Sequence, residues 1–186
     1  MQIVIASDIH GTNDRLRALF ARLGDRIVFL SPWESDGCPY QSEQEAVRVF
    51  HSADGLVRYE RKIAMATAAM PSLLIGFSVG AASMWLHTAN TLCHPHSQAF
   101  LYYGSRIREH RAISPRCPVS LVFAEHEASF QPEALANELS RPGITCSIIP
   151  RTSHGFMNPL SGNFNEELAL QQIEHLKRVA LERALP

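Results

Sequence analysis

The sequence predicts an α/β fold: an open, mostly parallel sheet with helices on both faces. Three observations predict it. Short apolar runs alternate with helix-forming segments nearly throughout the chain. The opening run, Gln2–Ser7, suits a strand buried on both faces. A third run, Ser72-Leu73-Leu74-Ile75, leads into Gly76-Phe77-Ser78-Val79-Gly80 and then into the small-residue segment Ala81-Ala82-Ser83-Met84-Trp85-Leu86. That is the pattern of a strand turning sharply into a helix.

The elements follow in order. After strand Gln2–Ser7, Asn13–Leu23 reads as a helix with Leu16, Leu19, Phe20 and Leu23 on one face. Gly24-Asp25 stops it, Arg26–Leu30 is the second strand, and Ser31–Gln41, with Pro32, Gly37 and Pro39, is a loop. Helices at Glu43–Phe50 and Asp54–Ala69 come next; Leu56, Tyr59, Ile63, Ala66 and Met70 form the inward stripe of the longer one. Strand Ser72–Phe77 enters the turn, and its helix runs from Val79 to about Thr91. Strands at Ala99–Tyr103, Val119–Ala124 and Thr145–Ile149 enclose helical segments near Arg106–Ile113 and Pro132–Leu139. A last amphipathic helix spans Asn165–Leu185, with Ala169, Ile173, Leu176 and Ala180 inward. About six strands result, in one domain over residues 1–186, with no internal repeat.

Composition narrows the function. The 46% hydrophobic and 19% charged residues are ordinary for a globular protein, and a net charge of −1 gives no reason to expect nucleic acid or an anionic membrane as partner. Cys38, Cys93, Cys117 and Cys146 form no C-x-x-C pair and read as reduced thiols of a cytoplasmic protein. No signal peptide is evident at the N-terminus. The uncharged stretch Ile63–Leu86 is long enough to raise a membrane helix, but Pro71, Gly76, Ser78 and Gly80 cut it into pieces that suit a buried helix–strand–helix.

The chemistry centres on Ser78. At the tip of such a turn a serine is forced toward positive φ, so the residues two away must be nearly side-chain-free, and both are glycine. The hydroxyl is lifted above the sheet, beside the N-terminus of the next helix, which suits acyl transfer. A serine nucleophile needs a base, and the base an orienting carboxylate; with this turn the chain order is serine, acid, histidine. Strand Val119–Ala124 ends in Glu125-His126-Glu127, and the next ends in Ser153-His154-Gly155-Phe156. His154 is therefore the candidate base, with Glu125 and Glu127 both open as the acid.

These residues carry a family resemblance. Over most of its length the chain resembles the dienelactone hydrolase family: Ser7-Asp8-Ile9-His10-Gly11 is similar to the family's first loop, and Tyr102-Tyr103-Gly104-Ser105-Arg106-Ile107 to its Y-G-x-x-I stretch. Ala124-Glu125-His126-Glu127 is similar to G-x-x-D, and Ser153-His154-Gly155-Phe156 to the final histidine loop. The resemblance implies a minimal α/β-hydrolase fold beginning near the family's third strand. It implies Ser78 as nucleophile, His154 as general base and acid, Glu127 as orienting carboxylate, and the backbone N–H groups of Ile9 and Val79 as oxyanion donors. It implies a small-molecule ester, lactone or thioester as substrate and no cofactor. Serine stands where the archetype has cysteine, which favours ordinary ester chemistry. Glutamate replaces the usual aspartate, and Asn158 stands where an arginine would meet a carboxylated lactone.

Two rival readings remain. Ser7-Asp8-Ile9-His10-Gly11 also resembles the opening of metallophosphoesterases, where Asp8 and His10 would ligate a metal. That site needs further motifs, but Gly24-Asp25-Arg26-Ile27-Val28 lacks a second aspartate and no G-N-H occurs. A non-catalytic binding module on a hydrolase scaffold is the other. Cys93-His94-Pro95-His96 reads as a surface loop rather than a metal clip, Trp85 as core, Trp33 as a pocket residue, and Arg58 and Arg61 as a solvated helix face.

Overall fold

A computed structural model describes residues 1–182. Six strands form one sheet in the order β2-β1-β3-β4-β5-β6, and every pairing is parallel. They are β1 (Gln2–Ala6), β2 (Ile27–Leu30), β3 (Ser72–Phe77), β4 (Gln98–Tyr102), β5 (Val119–His126) and β6 (Ile144–Ser153). The helices are α1 (Asp14–Phe20), α2 (Glu43–Ser52), α3 (Gly55–Thr67), α4 (Val79–Thr88), α5 (Pro132–Leu139) and α6 (Glu166–Glu182).

Strand alternation splits the core into two layers. Val4, Ala6, Leu74, Leu101, Leu121 and Phe123 face α2, α3, α4 and α5; Ile3, Ile5, Leu73, Ile75, Phe77 and Tyr102 face α1 and α6. Among the described residues no helix is long and apolar enough to cross a membrane, and the stretch that raised the question is α3, β3 and α4.

Several boundaries differ from the sequence reading, for local reasons. The helix expected over Asn13–Leu23 has Asn13 as its cap, accepting from the Leu16 N–H, and narrows to a 3-10 turn over Ala21–Leu23. Helix α3 stops at Thr67 because Ala68 and Ala69 turn left-handed (φ 45° and 57°). Met70 is consequently exposed and Ala66 only half-buried, although Leu56, Tyr59 and Ile63 are inward as expected. Helix α4 stops at Thr88, where the Asn90 side chain accepts from the Leu92 N–H in place of another turn. A 3-10 turn, Ser105–Glu109, stands in place of the helical segment expected near Arg106–Ile113: the side chains of Arg108 and Arg111 take the carbonyls of Ser105 and Arg108 that a continuing helix would use. Helix α6 begins after its Asn165 cap, and the expected residues 183–185 lie outside the described ones.

Candidate active site

The chain runs from β1 outward to β2 and then returns to the other side of β1 as β3. The crevice beyond the carboxyl ends of β1 and β3 is therefore the topological switch point, where open α/β sheets bind ligands. The Asp8-Ile9-His10 loop leaves β1 there, and Ser78 leaves β3 there.

Ser78 has φ 51° and ψ −112°, a strained conformation for a residue with a side chain. Its N–H donates to the Tyr102 carbonyl at the end of β4, which extends the sheet pairing to the tip of the turn. The two glycines are steric necessities. A Cβ on Gly76 would lie 2.7 Å from the Ala81 Cα, and one on Gly80 would lie 2.3 Å from the Ala6 carbonyl oxygen. Val79 is the first residue of α4, so its N–H has no acceptor within the helix.

Ser78 Oγ lies 2.9 Å from His154 Nε2, and His154 Nδ1 lies 2.8 Å from Glu127 Oε2. A carboxylate only accepts, so Nδ1 carries the proton and donates to Glu127, leaving Nε2 to accept from the Ser78 hydroxyl. The Glu127 side chain is 2% exposed and that of His154 37%. The second carboxylate oxygen, Oε1, has no hydrogen-bond partner among the described residues.

Glu125 is occupied elsewhere. Between the Ala124–Ile149 and His126–Ser153 pairings, β6 spends two residues more than β5, and Arg151 takes φ 58° in the resulting bulge. The Glu125 carboxylate accepts from the Arg151 N–H at 2.5 Å, and the Glu125 N–H donates to Thr152 Oγ1. Of the two open carboxylates, the structure brings Glu127 to His154 and places Glu125 on the bulge.

Asp8, Asn158, Trp33 and Asn163 hold the two loops, in roles other than those the sequence reading gave Asp8 and Trp33. Asp8 Oδ1 accepts from the His10 N–H at 3.0 Å and Oδ2 from Asn158 Nδ2 at 2.6 Å, which ties the first loop to the histidine loop. Burial pushes the Asp8 carboxyl above its ordinary range; the nearby imidazole of His10 and these two hydrogen bonds pull it back. Trp33 Nε1 donates to the Ile9 carbonyl at 2.8 Å, so Trp33 supports the loop from behind. Asn163 Nδ2 donates to the His154 carbonyl at 2.9 Å. The Tyr103 ring sits 5.0 Å from the imidazole of His154, and burial holds its phenol far above its ordinary value, with Asp8, Tyr102 and Glu127 adding to the shift. The Asp8–Asn158, Trp33–Ile9 and Tyr103–His154 contacts join residues far apart in the chain, so no local sequence pattern announces them.

The metal reading of Asp8 and His10 finds no set of ligands. Asp8 is committed as described, His10 Nε2 lies 3.5 Å from Glu43 Oε2, and among the described residues no three His, Cys, Asp or Glu side chains are grouped to hold a metal. His94 and His96 share a turn, and the buried Cys93 Sγ lies 3.7 Å from Cys117 Sγ, a proximity the sequence spacing does not suggest. Trp85 is fully buried. Arg58 pairs with Glu34 beside Trp33, and neither it nor Arg61 lines the Ser78 cleft.

No known family model matches this chain. An uncharacterized protein of Bacillus subtilis (strain 168), YczH, is 27% identical over 195 residues, spanning 97% of this chain and 93% of that protein. A candidate dienelactone hydrolase from Klebsiella pneumoniae subsp. pneumoniae superposes with a TM-score of 0.70 at 17% identity, over 99% of this chain and 86% of its own. The dienelactone hydrolase-like promiscuous phosphotriesterase P91, from metagenomic libraries, gives 0.71 at 16%, over 97% and 85%. A cold-adapted esterase from an Arctic intertidal metagenomic library gives 0.60 at 15%, over 95% and 81%. The all-parallel sheet, its helical layers and these superpositions agree that the chain has the α/β-hydrolase fold, in the form shared with dienelactone hydrolase-like proteins.

Proposed function

We propose that this chain is a serine hydrolase that cleaves a carboxylic ester, lactone or thioester through an acyl-enzyme on Ser78. The observation that carries the reading is the unbroken run of contacts from Ser78 Oγ through both nitrogens of His154 to Glu127. In this reading Nε2 of His154 takes the hydroxyl proton as Oγ attacks the carbonyl carbon. Glu127, held out of water, keeps the proton on Nδ1 and stabilises the imidazolium. The carbonyl oxygen becomes an oxyanion between the N–H groups of Val79 and Ile9; one such donor is worth about 3 kcal/mol. The imidazolium protonates the departing alkoxide or thiolate, and water activated by the same imidazole then releases the acyl group and restores Ser78.

Strain at Ser78 supports this reading over a non-catalytic scaffold. A conformation that costs about 1–3 kcal/mol persists where the surroundings hold it for a purpose. The test is activity-based labelling. A fluorophosphonate probe should label the protein stoichiometrically at Ser78, and Ser78→Ala should lose both labelling and nitrophenyl-ester turnover. Intact turnover in Ser78→Ala would overturn the proposal. One structural neighbour is named a promiscuous phosphotriesterase, so an aryl phosphotriester belongs in the same substrate panel.

A further inference from the structure

We propose, resting on that hydrolase reading, that the Ser78 site selects by charge: it accepts esters whose acyl and alcohol parts are neutral or cationic and disfavours those carrying a carboxylate or phosphate. The cleft in front of Ser78, about 250 Å³, has Asp8 and Glu43 in its walls, with His10 and His154 as its titratable bases. A second cleft of about 480 Å³ shares His154 and Asn163 with it as walls and adds Glu125, Glu127 and the imidazole of His126. Among the described residues, neither is lined by a Lys or Arg side chain.

The charge balance follows from the lining. Asp8 takes one N–H donor on each of its oxygens, the arrangement of a carboxylate rather than of an acid. Glu43 stands at the exposed mouth, 61% exposed, facing His10. Two carboxylates against two imidazoles leave the Ser78 cleft without net positive charge even when both rings are protonated. The positive end of α4 offers one place for an anion, and the reaction itself fills it with the carbonyl oxygen. A second anion on the substrate would meet Asp8 and Glu43 with no guanidinium fork to receive it, whereas a cation would find both carboxylates.

Three acetates with a common acyl group test this: 4-acetoxybenzoate, phenyl acetate and 4-acetoxyphenyltrimethylammonium, each rate divided by that of its hydroxide hydrolysis. At low ionic strength kcat/KM for the cation should exceed that for the anion by about tenfold or more, and salt at roughly 0.5 M should contract the ratio severalfold. Glu43→Gln should narrow it and Glu43→Lys narrow it further. Equal or faster hydrolysis of the anion, or a ratio indifferent to salt, overturns the charge selection alone. If none of the three is hydrolysed and a fluorophosphonate leaves Ser78 unlabelled, the hydrolase reading falls and the selection with it.

Discussion

Gly80 presses against Ala6: a methyl group on Gly80 would sit 2.3 Å from the Ala6 carbonyl oxygen and 2.4 Å from that of Ser7. Helix α4 thus starts in backbone contact with the end of β1, and this contact brings Ser78 beside the Asp8-Ile9 loop. Gly80→Ala must push backbone from backbone, because no flexible side chain is there to yield. Its expected cost is about 3 kcal/mol, the upper end for overpacking, with loss of Ser78 labelling in the fraction that still folds. Gly37→Ala, where an added methyl meets nothing within 4 Å, should be near neutral. Urea midpoints of the two variants against the parent check the difference.

Exchange of the two neighbouring carboxylates separates their roles. Glu127→Gln removes the acceptor that keeps the His154 proton on Nδ1, and kcat/KM on a nitrophenyl ester should fall by about three to four orders of magnitude with little change in KM. Glu125→Gln loses a charged acceptor for the Arg151 N–H at the β6 bulge and an exposed contact with the His126 imidazole, and its activity should stay within about threefold. The opposite ranking would assign the orienting role to Glu125.

The sharp turn at Ser78 was legible because its constraint is local: a serine at positive φ demands glycine two residues to either side, and both stand in the sequence. The order of Ser78, the carboxylate pair and His154 was legible for a similar reason, since each ends a strand of a parallel sheet. The choice of Glu127 over Glu125 came from the family resemblance and not from spacing. In the structure it depends on two extra residues of β6 around Arg151, which alternation of apolar residues does not reveal. The Asp8–Asn158 tie spans 150 positions and joins residue types common in any loop. The early end of α3 turns on two alanines in left-handed conformation, where no glycine announces a stop. Local stereochemistry is written in short words; contacts between distant loops are set only once the sheet has formed.

Trp33 tests whether a residue outside the Ser78 cleft governs the proposed oxyanion donor. Its indole N–H holds the Ile9 carbonyl, while its ring packs edge-on against Tyr40 and Phe50. Trp33→Phe retains much of the packing and loses the hydrogen bond, worth about 1 kcal/mol. The expected result is a fall in kcat of about fivefold with KM nearly constant, because a looser Ile9 N–H costs most when charge develops on the carbonyl oxygen. A rise in KM at unchanged kcat would instead place Trp33 in substrate binding.

Stability in mild acid should depend on His87, remote from Ser78. Its side chain is fully buried on α4, with Nδ1 3.3 Å from Glu60 Oε1 and Nε2 3.4 Å from Thr67 Oγ1, both on α3. Burial lowers its pKa below the ordinary 6.5, with Glu60 opposing the shift. In the unfolded chain the imidazole takes its proton near pH 6.5; in the folded protein it resists until lower pH. Between those points the unfolded state binds more protons, so the contribution is complete above about pH 6.5 and is lost as pH falls through the folded value. Urea midpoints between pH 8 and 5 should therefore drop more steeply for the parent than for His87→Gln, which keeps polar atoms for both partners but does not titrate. The gap between the two proteins should close as the solution is acidified, and parallel curves would show that His87 stays neutral on unfolding or charged in the fold.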